Sequence, residues 1–114
     1  MDDATVLNPA TIENLKQLGG DDFLHELIEL FLEHSSNLVA TINNGNAAAE
    51  WDQVSRAAHS LKSSAGNIGA FELQTIVSDL EQAAEVTDVS AITPLIDKLG
   101  PSFETVVEEL KKIR

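Results

Sequence analysis

Near the C-terminal end, Ile92, Ile96, Leu99, Phe103, Val106, Leu110 and Ile113 follow one another at strictly alternating steps of four and three. That alternation puts every one of them on a single face of an α-helix, the face that seeks a core. Gly100-Pro101 lies in the middle of the run. Proline inside a helix removes one backbone donor and crowds the carbonyl four residues earlier, so the dipeptide ought to break the helix. Two independent helices would have no reason to stay in register. The pattern therefore predicts one helix, opening at Thr93-Pro94 and kinked near Gly100.

The same period recurs throughout. Asn8-Pro9 is a cap followed by a good first helical residue, and Ile12, Leu15 and Leu18 share a face of the short helix that follows. Gly19-Gly20 ends it. Asp21 opens a long helix with Leu24, Leu27, Ile28, Phe31, Leu38 and Ile42 facing inward, and Phe23 and Leu30 widening the apolar zone. Asn43-Asn44-Gly45 reads as a turn and Asn46 as the cap of a third helix over 47–68. Gly69-Ala70 separates that from a fourth helix over 71–85, with Leu73, Ile76, Val77, Leu80 and Ala84 inward. Residues 87–90 read as a loop. No stretch alternates with period two, so strands are not expected. The expectation is an all-α, antiparallel four-helix bundle with a short additional N-terminal helix, one domain over 1–114 with residues 1–7 as a tail.

Charge and composition exclude several classes of function. A net charge of −12 on 114 residues repels phosphate backbones and anionic lipid, so neither nucleic acid nor direct membrane contact is expected. Cysteine is absent, which removes disulfides and thiolate chemistry. Met1-Asp2-Asp3 lacks the basic, apolar layout of a signal peptide, and no apolar run approaches the roughly 18–20 residues of a membrane span. A cytoplasmic chain is expected, with any membrane tether supplied by an attached sensor. Basic residues are scarce, which draws attention to Lys62.

In the third helix Trp51, Val54, Ala58, Leu61, Ala65 and Ile68 form the core stripe, with Trp51 as its anchor. His59 lies one residue, about 100°, off that stripe. Ser55, Lys62, Gly66 and Gly69 fall near the same outward line. A helical glycine is worth roughly 1 kcal/mol less than alanine, so Gly66 asks for a reason. Gly69 is explained by a helix end; Gly66 is better explained by the close approach of a partner backbone or an anion. His25 and His34 read as ordinary surface or core histidines. No two histidines sit three or four apart and no Glu-x-x-His pair occurs, so a helical metal site is not expected.

The segment His59-Ser60-Leu61-Lys62-Ser63-Ser64-Ala65-Gly66 resembles the signature of histidine-containing phosphotransfer domains. That signature has an apolar residue two after the histidine, lysine at three, a small residue at four and glycine at seven. Ser63 stands where the family often has glycine but stays small. Phe23-Leu24 and Phe31-Leu32 before the motif and Leu80-Glu81 after it extend the resemblance over nearly the whole chain.

The resemblance implies a phosphoryl carrier, without kinase activity of its own, that exchanges phosphate with aspartates of response-regulator receiver domains. His59 would be the phosphorylated nucleophile and Lys62 would stabilise the phosphate's charge. Ser63 and Gly66 would give access and phosphate contact, and Glu81 would orient the His59 ring from the next helix, with Gln82 beside it. The chain would carry no cofactor, the receiver bringing Mg²⁺. Leu15, Leu18, Phe23, Leu27, Ser55 and Arg56 would meet the receiver, the domain would be a monomer, and a hybrid sensor kinase could hold it in cis. Two other readings stay open: a structural or interaction bundle in which His59 is incidental, and a kinase-associated domain charged from ATP by a separate catalytic domain.

Overall fold

The Asn8 side chain accepts the Thr11 backbone N–H at 2.9 Å and Pro9 follows it, which starts α1 (Pro9–Ala47). The computed structural model describes residues 6–113. After α1 come α2 (Trp51–Ile68), α3 (Phe71–Glu85) and α4 (Val89–Ile113), joined by tight connections that make neighbouring helices antiparallel. No strand occurs among the described residues. The expected separate N-terminal helix is the first segment of α1, which is interrupted at Gly20 (φ 85°, ψ −174°). Only glycine takes that conformation readily, and a Cβ on the preceding Gly19 would run into the Phe23 ring.

Two boundaries differ from the sequence reading. Asn43-Asn44-Gly45 is not a turn: α1 continues to Ala47, and Asn46 lies inside it rather than capping α2. Gly45 is buried, and a Cβ there would meet Val54 at 2.9 Å. Its smallness serves the approach of α2, not a reversal of the chain. Of the residues 87–90 expected to be a loop before the last helix, Val89 and Ser90 already belong to it. Asp88 caps α4 by accepting the Ala91 N–H, so the helix starts at Val89, ahead of Thr93-Pro94. It then runs through Pro94 and Pro101 as one element. Both prolines are exposed, as are Ser90 and Asp97, so the carbonyls they leave unpaired face water.

The first three helices end alike. Glu50 N–H reaches Gly45 O at 2.8 Å, Ala70 reaches Ala65 at 2.8 Å, and Asp88 reaches Ala83 at 2.9 Å, each nested with a shorter loop of the same kind. This closure needs one left-handed residue, which is Ala49 (φ 56°), Gly69 (φ 83°) and Thr87 (φ 56°) respectively. Only Gly69 suits it without crowding. Ala49→Gly and Thr87→Gly are each expected to raise stability by about 0.5–1 kcal/mol, the relief of left-handed strain less glycine's entropy. Urea midpoints check this; an unchanged or lower midpoint would count against strain at these ends.

α2 is packed on both sides, by α1 and by α3; α3 also carries α4, whereas α1 and α4 touch only sparingly. Ile28, Ile42, Leu61, Leu73, Leu80, Ile92, Leu99 and Leu110 fill the interior. Val6 and Leu7, read as part of a tail, are half-buried against this core, and the Asn8 N–H donates to Gly69 O at 2.9 Å. That bond ties the start of α1 to the end of α2. Residues 1–5 of the expected tail, and the acidic Met1-Asp2-Asp3, lie outside the described residues.

Candidate functional site

The α2 stripe lies where its periodicity puts it: Val54, Ala58, Leu61, Ala65 and Ile68 are buried and Trp51 is half-buried. His59 therefore projects outward, with 63% of its side chain exposed. Helical geometry separates its neighbours into two flanks. Ser55, Lys62 and Gly66 fall about 20–60° to one side of His59, and Arg56 and Ser63 about 40–60° to the other. The first flank is the one α3 covers. Ser55, expected beside His59 on an open face, is consequently 9% exposed and not available for docking. Ser63 and Arg56 on the other flank are exposed. Arg56 pairs with Asp52 at 2.6 Å, a solvent-exposed ion pair of little energetic weight.

Glu81 enters this flank from α3. Its Oε2 lies 2.8 Å from His59 Nδ1 and its Oε1 2.7 Å from Lys62 Nζ. With only 13% of its side chain exposed, Glu81 is the inner member of the trio. The Lys62 hydrogen bond, assisted by His59, holds its carboxyl below the usual carboxylate range, against burial, which pushes it up. An ionised Glu81 can only accept, so it favours the imidazole that carries its proton on Nδ1. Nε2, which has no partner among the described residues, is then left with its lone pair outward. Lys62, expected to stabilise the phosphate's charge, is paired with Glu81 in this state, but it is half-exposed and an ammonium has three donors.

On the opposite flank of α2 an apolar groove of about 630 Å³ runs between the two segments of α1 and the α2 end. Leu15, Phe23 and Leu27 line it, joined by Leu30, Phe31 and His34, and by Ser64, Asn67 and Ile68 from α2. Leu18, expected with them, does not line it and stands 77% exposed.

The model of the Hpt domain matches residues 26–113. The chain belongs to the Hpt-domain family. Domains of this family are phosphotransfer modules of two-component systems and partner with receiver domains and sensor kinases. This Hpt domain is 35% identical over 66 residues, 58% of its length, to the sensor protein TorS of Escherichia coli, and 26% identical over 81 residues, 70% of its length, to the sensory/regulatory protein RpfC of Xanthomonas campestris pv. campestris. The matches span only 7% and 11% of those relatives. Its fold is that of the crystal structure of histidine-containing phosphotransfer protein B (HptB) from Pseudomonas aeruginosa PAO1: TM-score 0.90, 22% identity, covering 96% of this chain and 94% of that one. A rice protein described as a putative histidine-containing phosphotransfer protein shares the fold less closely, with a TM-score of 0.63 and 17% identity, covering 97% of this chain and 86% of that one. No helix of this Hpt domain, among the described residues, is long and apolar enough to cross a membrane.

His34, expected as an ordinary surface or core histidine, is an exposed residue at the groove beside Phe23 and Leu30. The part of the surface that escaped the sequence is Gln74, whose side chain covers Gly66, so that a Cβ on Gly66 would collide with its amide nitrogen. Nothing in the spacing of α3 singles Gln74 out.

Proposed function

We propose that this Hpt domain is a phosphorelay carrier, with His59 as the residue that holds the phosphoryl group. The observation that carries the reading is the 2.8 Å contact between His59 Nδ1 and a carboxylate, on a ring that is otherwise open to solvent. It leaves Nε2 as the nucleophile. In the step, the Nε2 lone pair forms a bond to the phosphorus of a receiver's aspartyl phosphate. The acyl phosphate P–O bond breaks, and the aspartate leaves as carboxylate with the electron pair. The ring keeps its Nδ1 proton, and Glu81 stabilises the charge gained. Reversal on a second receiver's aspartate passes the group on. Such transfers are loose and in line, so positioning and charge neutralisation carry most of the catalysis. Lys62 has donors left for the phosphoryl oxygens, and Ser63 offers a hydroxyl on the open flank. Mg²⁺ comes with the receiver.

The apolar groove beside the motif, with Leu15, Phe23 and Leu27, is the surface that would seat the receiver. The test is transfer of label from a phosphorylated receiver domain, with Mg²⁺, to this protein. Label that is lost in acid and stable in alkali is the expected result. Failure with several receivers while an ATP-bound kinase domain charges His59 would replace the relay by the kinase-fed route. No label from any donor would leave a purely structural bundle.

A further inference from the structure

Gly66 lies seven residues beyond His59, on nearly the same face and about 10 Å along the helix axis. Its missing side chain was expected to leave room for a partner. The space is instead filled from within the chain. The Gln74 amide of α3 lies over Gly66, with its nitrogen 3.5 Å from the carbonyl oxygen of Lys62, the outer limit of a hydrogen bond. Gln74 is half-buried, and its carbonyl oxygen has no hydrogen-bond partner among the described residues. It stands two turns before Glu81 on α3, so both reach the same flank of α2.

We infer that Gln74 is a partner-contacting positioning residue: the notch at Gly66 seats its amide at the rim of the phosphoacceptor face, where it meets the peptide backbone of the receiver loop that surrounds the phosphoaspartate. The inference rests on the carrier reading of His59. An amide both donates and accepts, which matches a peptide group, and the seat at Gly66 confines it before the partner arrives. The separation from His59 places it on the loop and not on the phosphoryl group. A substituent at Gly66 would then act indirectly, by pushing Gln74 out of its seat.

The experiment compares wild type, Gln74→Ala, Gly66→Ala and the double variant. Each is phosphorylated by a phosphorylated receiver with Mg²⁺ and, separately, by phosphoramidate, a small donor that presents no loop. The readout is the ratio of the two rates, which a general loss of fold or of His59 reactivity does not move. Gln74→Ala and Gly66→Ala are each expected to lower that ratio about fivefold, the worth of one hydrogen bond, and the double variant to fall no further. A Gln74→Ala ratio equal to wild type would overturn the inference, as would losses that multiply in the double variant, since Gly66 would then serve the partner directly. A wild type that takes label from neither donor would overturn the carrier reading and this inference with it, a result distinct from an unchanged Gln74→Ala ratio.

Discussion

His59→Gln is expected to abolish labelling from a phosphorylated receiver while leaving the bundle intact. Glutamine's amide nitrogen can still donate to Glu81, so the inner carboxylate keeps a partner. It has no lone pair comparable to an imidazole nitrogen, and without a nucleophile the phosphoryl group has nowhere to go. Loss of a nucleophile lowers rates by on the order of a thousandfold or more, which here means no detectable label. Because the ring is 63% exposed, its removal opens no cavity, and the stability change should stay within about 0.5 kcal/mol. Label counted after a fixed time, together with a urea midpoint, checks both halves. Persistent acid-labile label on the variant would place the acceptor on another residue.

The second large effect falls on Glu81. Glu81→Ala removes the acceptor from His59 Nδ1 and from the Lys62 ammonium at once. The imidazole then samples both tautomers and rotates, and Lys62 loses the anchor that keeps it beside the ring. Loss of a group that orients a reactive histidine costs about 10–100-fold, and the transfer rate is expected to fall within that range. Glu81→Gln should fall between: one oxygen still accepts, but the amide nitrogen cannot accept from Lys62. Transfer by Glu81→Ala within twofold of wild type would remove Glu81 from the mechanism. The same carboxylate carries a pH signature in stability. Its pKa is lowered in the folded protein, chiefly by Lys62, so an unfolded chain holds the proton more tightly. Its stabilising contribution is complete above the ordinary carboxylate value of about 4.3 and is lost as pH falls through the lowered folded value. The gap in urea midpoint between wild type and Glu81→Gln should therefore be present at neutral pH and close in acid.

The four helices were legible because each carries its own apolar period, and the α4 stripe held register even across Gly100-Pro101. His59 was legible for the complementary reason: a histidine off the core stripe, with a cation and small residues around it, departs from what packing alone requires. Two of the misread places share one cause. Glycine and asparagine mark a turn when only the chain's own conformation matters, yet Gly45 is small because α2 presses on it, and α1 runs on. Ser55 shares the outward line with Lys62 and Gly66, but α3 covers that flank of α2. Sequence spacing gives angles around one helix and says nothing of where the next helix lies.

The sequence by itself determined the helical class, the core face of each element and the exposed histidine with its cation, because those follow from intervals within one helix. Only the tertiary structure decided that one carboxylate from α3 holds both His59 and Lys62, that Gln74 fills the space over Gly66, and that Leu15, Phe23 and Leu27 share a groove which Leu18 does not enter. Each of these depends on how one helix is set and rotated against another. That setting comes from the packing of many side chains together, which no interval along the chain encodes.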